Sequence, residues 1–353
     1  MIGDIATGLD PARDRPLVQP PAGIKAFGEN YLMVTYDPQV DVGLWLHLGT
    51  WPEDFAMWED VILLALPGEE GLLWARGYQR SLPELRPNGP NLRFECLEPF
   101  RHWRISFDGV CTRTPYETML AGLVPDGQRE KVVLQLDVTC VTPVWDAHES
   151  ATSGRGGGSM AEQVWASEHY QQLLRVSGRV ELRDGIYELR SSGVRDHSRG
   201  QRGHEGGMDR WGGHTLIHVL FPSGRGVGVQ RMWTPLGDVT LDTAYVLIDG
   251  AIHFADVHQL PQLESVQLRG ERMQLVLESD LGVHTLEGEM LKTVFTTPLG
   301  KGLSVGADTS APYGVFGLGH ARWTWDGEEA YGLTERSNRL EAAGVATAGR
   351  ADR

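Results

Sequence analysis

Between Gly193 and His218 the chain reads GVRDHSRGQRGHEGGMDRWGGHTLIH. Arg195, Asp196, His197, Arg199, Arg202, His204, Glu205, Asp209, Arg210, Trp211, His214 and His218 crowd into this one stretch, between two strand-like runs. Proton donors and acceptors at this density are costly to bury unless they are paired or used. A carboxylic acid in an apolar cavity has a raised pKa and keeps its proton near neutral pH. Such an acid can protonate an alkene, and aromatic faces can shelter the cation that forms. Asp196 is the candidate proton donor. His197 or His214 is the candidate partner that orients it or takes a proton from water. Trp165, Trp211 and Trp233 are candidate aromatic walls. Arg195 and Arg202 are candidates to hold the segment or an anionic group of a substrate.

Strand geometry limits these roles. If residues 194–198 form a regular strand, Asp196 and Ser198 face one way while Arg195 and His197 face the other. Asp196 and His197 then share a cavity only across a bulge, which Gly193 and Gly200 would permit; without one, Asp196 is the residue expected inside. A structural reading competes, in which Asp196 pairs with Arg195, Arg202 or Arg210 and closes a barrel end. A metal centre built from His197, His204, His214 and His218, with Glu205 and Asp209, is a third. However, HTLIHVLF reads as a strand, which sets His214 and His218 about 13 Å apart, too far to share one ion. Neither a metal nor an organic cofactor is therefore expected. Ser198 lacks the GxSxG setting of a nucleophile elbow. The runs GRGGGS and GHEGG lack the strand–helix context of phosphate loops. His253, Asp256 and His258 read as a solvated rim, and Trp45 and His47 as packing residues. Glu335 reads as an ion-pair partner, placed at the interface between the two halves.

The elements that would position these groups are mostly strands. Apolar residues alternate with polar ones through Val42–Leu48, Leu92–Cys96, Trp103–Phe107, Leu134–Cys140 and Met273–Leu277, the pattern of half-buried antiparallel sheet. Asp108-Gly109, Asp184-Gly185, Asp249-Gly250 and Asp326-Gly327 read as tight hairpin turns. The one helix expected covers Met160–Leu174, where Trp165, His169 and Leu173 recur every four residues. DAHESATSGRGGGSM, from Asp146 to Met160, reads as a flexible linker or mobile loop. The expected division is an N-terminal extension over 1–28, a β domain over 29–146, a linker over 147–160, a second β domain over 161–337 and a tail over 338–353. WRISFDG from Trp103 and WTWDG from Trp323 hint at a duplicated unit.

A chain of 353 residues has room for two cores. Its formal net charge of -15 argues against nucleic acid as a partner, because phosphate binding needs a basic surface. Cys96, Cys111 and Cys140 are odd in number and lack CxxC spacing, so they read as reduced core residues of a cytoplasmic protein. No apolar run approaches the roughly 20 residues of a membrane span. Oligomeric state leaves no mark in the sequence.

The second half resembles the carotenoid 1,2-hydratase (hydroxyneurosporene synthase) superfamily. The resemblance runs through His169-Tyr170, Arg175-Val176-Ser177-Gly178, Asp184-Gly185, Gly193-Val194-Arg195-Asp196-His197-Ser198 and Trp211-Gly212, with Trp325-Asp326-Gly327 near the end. It implies an all-β fold of two consecutive lipocalin-like antiparallel barrels or strongly bent sheets, and Asp196 as proton donor. Where relatives carry Trp-Gly after Asp-His-Ser, this chain has Arg199-Gly200. A cation in place of an apolar wall argues for a substrate that is smaller or negatively charged. Two functions are expected from these residues. One is a cofactor-independent acid–base lyase, hydratase or isomerase/cyclase acting on a small hydrophobic molecule, isoprenoid or aromatic. The other is a non-catalytic carrier of lipophilic ligands. Paired barrels offer two internal cavities and a crevice between them, and pockets favour such interfaces.

Overall fold

The computed structural model describes residues 5–202, 210–299 and 302–340. Its strands are β1 (Phe27–Asp37), β2 (Val42–Trp51), β3 (Asp54–Ala65), β4 (Leu72–Arg80), β5 (Leu92–Glu98), β6 (His102–Thr114), β7 (Gln128–Cys140), β8 (Trp145–Asp146), β9 (Gly157–Gly158) and β10 (Glu168–Leu182). They continue with β11 (Gly185–Gln201), β12 (Gly213–Leu220), β13 (Gly226–Trp233), β14 (Val239–Ile248), β15 (Ala251–Gln259), β16 (Arg272–Ser279), β17 (Gly282–Leu299), β18 (Gly302–Val305), β19 (Val315–Trp325) and β20 (Glu328–Asn338). Helices are short, α1 at Tyr116–Ala121 and α2 at Ala147–Thr152.

Strands β1, β2, β3, β4, β6, β7, β10 and β11 pair antiparallel in chain order, and β11 returns to β1. Strands β12 to β17, then β19 and β20, do the same, and β20 returns to β12. These are two closed up-and-down barrels, an arrangement that removes sheet edges. The all-β tandem-barrel expectation is met. Three Asp-Gly pairs make the hairpins at β10–β11, β14–β15 and β19–β20; in the last two, both residues have positive φ, as tight primed turns require. The fourth, Asp108-Gly109, runs on inside β6, paired with Val133 and Val132.

Three expectations on organisation change. The first barrel takes its last two strands, β10 and β11, from beyond residue 161, because Leu174–Glu181 pairs with β7 and Phe27–Tyr36 with β11. The segment Asp146–Met160 is structured. Asp146 pairs with Tyr170 in the first sheet, Gly157 and Gly158 pair with β14 in the second, and α2 lies between. The helix expected over Met160–Leu174 is two single turns followed by strand β10. There both faces are buried from His169 to Leu174, which erases the polar–apolar alternation that marks a half-exposed strand.

Both barrel interiors are filled by side chains. Tyr31, Trp58, Trp103 and Phe107 pack among aliphatic residues in the first; Phe221, Trp323 and Trp325 do so in the second. A third core, including Val34, Trp45, Leu173, Val194, Leu220, Phe295 and Leu333, joins barrel to barrel. Inside the first barrel a buried polar network ties down the N-terminal segment. Arg195 pairs with Asp14, Arg199 pairs with Glu29 at 2.8 Å, and His197 Nε2 lies 2.9 Å from Glu29. Tyr170 donates to the Arg13 carbonyl at 2.9 Å and Arg199 to the Arg15 carbonyl at 2.5 Å.

Burial pushes both carboxyls up. Arg195 on Asp14, and the His197 hydrogen bond with the Arg199 charge on Glu29, more than offset it, so both sit below their ordinary values. Burial lowers His197. All three groups bind protons more weakly folded than unfolded, so their stabilisation is present at neutral pH and is lost as pH falls. Stability measured by urea unfolding should decline below about pH 6.5 and steeply below about pH 4.5. Arg195→Met, which strands Asp14, should cost about 3–5 kcal/mol, and adding Asp14→Leu should recover most of it.

Candidate active site

The pairing registers decide which side chains leave the first barrel. Strand β11 is unbulged, with Asn30↔Ser198, Leu32↔Asp196 and Val34↔Val194 on one side and His169↔Ser198, Gln171↔Asp196 and Leu173↔Val194 on the other. These residues, with Trp45 and His47 of β2, form one outward face. The facing wall of the second barrel carries His214, Leu216 and His218 of β12, Ser337, Glu335 and Leu333 of β20, and Met232 and Gln230 of β13. Between the walls lies a half-open pocket of about 170 Å³. Asn30, His47, His169, Gln171, Asp196, Ser198, Arg202, His214 and Glu335 supply its polar atoms; Trp165, Trp211, Leu216, Met232, Phe316 and Leu333 supply much of its apolar lining.

Asp196 does face this pocket, and its partner is His169 rather than His197. Asp196 Oδ2 is hydrogen-bonded to His169 Nε2 and accepts from Gln171 Nε2 at 2.7 Å. Gln230 Nε2 donates to His169 Nδ1 at 3.1 Å across the barrel interface, which places the imidazole proton on Nε2, toward Asp196. Among the described residues Oδ1 of Asp196 has no hydrogen-bonding partner, so one carboxylate oxygen is open to the pocket. Burial alone would raise the Asp196 pKa, but His169 and Gln171 hold it below 3.8. The expectation of a neutral buried acid is therefore corrected: Asp196 is ionised at neutral pH and starts as a base.

A second carboxyl–imidazole pair stands on the opposite wall. His214 Nε2 lies 3.0 Å from Glu335 Oε1, and Trp45 Nε1 donates to Glu335 Oε2 at 3.2 Å. Ser337 Oγ accepts from the His214 amide at 3.1 Å and from Trp211 Nε1 at 3.3 Å, so its own proton goes to His214 Nδ1 at 2.6 Å. This fixes the His214 proton on Nε2, facing Glu335. Trp165 and Trp211 meet edge to face at 5.7 Å. Trp165 is brought over β11 by Gly200, where a Cβ would lie 2.4 Å from the Trp165 backbone.

The remaining candidates fall elsewhere. His197 and Arg195 point into the first barrel, as strand alternation requires. His197 stacks on Tyr31 at 4.0 Å, and Arg195 lies 5.1 Å over Trp103. Arg199 also points inward, so its replacement of an apolar residue bears on the barrel and not on the pocket. Trp233, at the end of β13, lines a separate surface depression of about 350 Å³ with Arg231, Leu236 and Arg339. Trp45 and His47 belong to the site wall rather than to packing alone, and burial keeps His47 neutral at pH 7 by lowering its pKa. Glu335 does bridge the halves, through Trp45. Half-buried His253 pairs with Asp280, exposed His258 with Glu278, and Asp256 with Arg155. Among the described residues no three His, Cys, Asp or Glu side chains converge to hold a metal; His204, Glu205 and Asp209 lie outside them. Cys96, Cys111 and Cys140 are free thiols. No helix among the described residues is long and apolar enough to cross a membrane.

Two lipocalin-like antiparallel barrels flanking a largely apolar pocket with a few polar groups at their junction define the class of protein. The chain belongs to the family DUF7064, a domain of unknown function, whose model matches residues 14–339. Among solved structures, a candidate AttH (NE1406) from Nitrosomonas europaea is similar, with TM-score 0.51 and 14% identity over 89% of this chain and 93% of that one. CghA is similar in outline, with TM-score 0.48 when solved with Sch210972 and 0.47 without it. Each of these two structures shares 9% identity over 89% of this chain and 88% of the other. These likenesses concern the fold. No curated protein matches the sequence.

If His169 holds Asp196 ionised, His169→Phe should leave the push of burial opposed by the weaker effects of Gln171 and His218. A carboxyl ¹³C titration should then show the Asp196 pKa higher than in the wild type. An unchanged value would assign the lowering to Gln171 and His218 instead.

Proposed function

We propose that the protein is a cofactor-independent acid–base enzyme, an isomerase or hydro-lyase, acting on a small and largely apolar molecule held between the barrels. One observation carries this reading: the unpartnered Oδ1 of ionised Asp196 opens into a Trp-walled pocket, with His169 bound behind it. A carboxylate so placed can take a proton from a bound molecule and return it. The Glu335–His214 pair across the pocket is a second place for a proton to leave or arrive. Two such sites on facing walls suit moving hydrogen along a short carbon framework, or adding and removing water across a double bond.

Size narrows the substrate. An engineered apolar cavity of about 150 Å³ holds one benzene molecule, so about 170 Å³ encloses one ring, with any longer portion reaching out of the open side. This favours a monocyclic or short substrate over an enclosed carotenoid chain. The carrier reading is less well supported. A lipocalin-type carrier keeps its ligand inside the barrel, and both interiors here are packed with aromatic and aliphatic side chains.

The test is deuterium exchange. Small cyclic alkenes and carbonyl compounds incubated with the protein in D₂O should yield a labelled, isomerised or hydrated product for at least one member of the panel. Asp196→Asn keeps the Gln171 contact and the fold, and should slow that reaction about 10²–10⁴-fold. A variant that unfolds at the wild-type temperature and turns over at the wild-type rate ends the proposal.

A further inference from the structure

We infer that the pocket is built to stabilise negative charge on a substrate oxygen, so that the substrate is a carbonyl compound passing through an enolate rather than an alkene passing through a carbocation. This rests on the acid–base reading and names its substrate class. The group that decides it is Arg202. The buried guanidinium groups of Arg195, Arg199 and Arg336 and the half-buried one of Arg231 each meet a carboxylate. Arg202 lines the pocket, and among the described residues it forms no ion pair. Its Nη2 donates to the Ser198 carbonyl at 3.3 Å and to Ser198 Oγ at 3.1 Å. The same nitrogen meets the Asn30 side-chain oxygen at 3.0 Å once that amide is turned to face it. Its buried Nε, like those of Arg195, Arg231 and Arg336, has no acceptor among the described residues; what sets Arg202 apart is the missing carboxylate. One terminal nitrogen therefore holds the side chain, and the rest of the fork is left for something else.

The position of Arg202 is prepared. Its stem lies against Gly28, where a Cβ would come within 2.6 Å of Arg202 Cγ. Its guanidinium sits 5.8 Å above the Trp165 ring, at the aromatic wall where a substrate ring would lie. A fixed cation there is hostile to a carbocation and favourable to an oxyanion, and donors aimed at developing negative charge are the strongest catalytic device of this kind. Asp196 supplies the complementary half. It begins charged and becomes neutral as it takes a proton, so the pocket's total charge does not change while the charge moves to the substrate.

The step balances without a cofactor. Asp196 Oδ1 removes a proton from the carbon next to a carbonyl. The C–H electron pair becomes a C=C bond, and the carbonyl π pair moves to oxygen, where the Arg202 N–H groups receive it. With a β,γ-unsaturated substrate the proton returns at the γ carbon, the C=O bond re-forms, and the double bond has moved into conjugation.

4-Nitrophenol is the probe, because its ionised form resembles a ring enolate and absorbs apart from the neutral form. Bound in an Asp196→Asn background, kept for every probe measurement because its neutral amide stands for the carboxyl that has taken the proton, its phenolate should be favoured over the phenol, with the apparent pKa of the bound probe lowered. Arg202→Met should weaken phenolate binding at least 10-fold while leaving cyclohexanol binding unchanged. Arg202→Gln, which keeps a donor to Ser198 without the charge, should behave like Arg202→Met and guards against loss of fold. Preference of the Asp196→Asn protein for the neutral phenol, or phenolate binding indifferent to both Arg202 substitutions, overturns the inference. Deuterium exchange abolished by Asp196→Asn but unaffected by Arg202→Met would remove the enolate assignment and leave the acid–base reading standing. Arg202-dependent phenolate binding without any exchange would leave an oxyanion-binding pocket and end the acid–base reading, and the enolate step with it.

Discussion

The two-residue period of β11 forces Arg195, His197 and Arg199 into the first barrel and Val194, Asp196 and Ser198 out toward the second. No solvated face is left to this stretch: both sides are buried, one by the barrel core and one by the partner barrel. Every polar group on it must therefore find a partner, and the two sides solve that problem differently. Inward, Arg195 meets Asp14 and Arg199 meets Glu29, so full charges cancel and the N-terminal segment is pinned over the barrel. Outward, Asp196 meets an imidazole and an amide, which satisfy one oxygen and leave the other. A closed ion lattice and an incomplete one lie back to back on a single strand.

That difference separates structure from chemistry in this molecule. A buried carboxylate with a guanidinium partner has nothing to offer a bound molecule, since its charge and lone pairs are taken. A carboxylate supported on one oxygen by an imidazole and an amide keeps its other oxygen within reach of a bound molecule. On the facing wall Glu335 is supported in the same manner, by His214 and Trp45, although it comes from the far end of the chain. The junction of the barrels thus collects weakly supported carboxyls, whereas the first barrel's interior collects strongly paired ones.

Much of this was legible in the sequence, and the failures have physical causes. Strand alternation correctly separates Asp196 from His197, and Asp-Gly turns correctly mark three hairpins. Period alone also sends His214 to the outer face. What sequence spacing conceals is contact at long range: Asp14 lies 181 residues from Arg195, and Glu335 lies 290 from Trp45. His169 is hidden for another reason. Its strand is buried on both faces, so polar residues occur on each side as Gln171 and Gln172, and the spacing of Trp165, His169 and Leu173 imitates a helix. Reading HYQQLL by twos, as His169, Gln171 and Leu173, would have placed His169 beside Asp196. Arg199 shows the converse error, in which a conspicuous departure from a family pattern concerns barrel packing and has no bearing on the ligand.

The chain crosses between barrels before the first is complete. It touches the second sheet at Gly157 and Gly158, goes back to lay down β10 and β11, and only then begins the second barrel. The closing ladder of the first barrel joins Phe27 to Gln201, so during synthesis six of its strands emerge with an open edge on either side. Translation at roughly 5–20 residues per second keeps those edges unpaired for seconds, the condition in which strands recruit foreign partners. By the same token, the barrels are not beads on a string: the stitch at residues 157–158 means that neither could be inherited, duplicated or exchanged by a cut in the glycine-rich stretch between them.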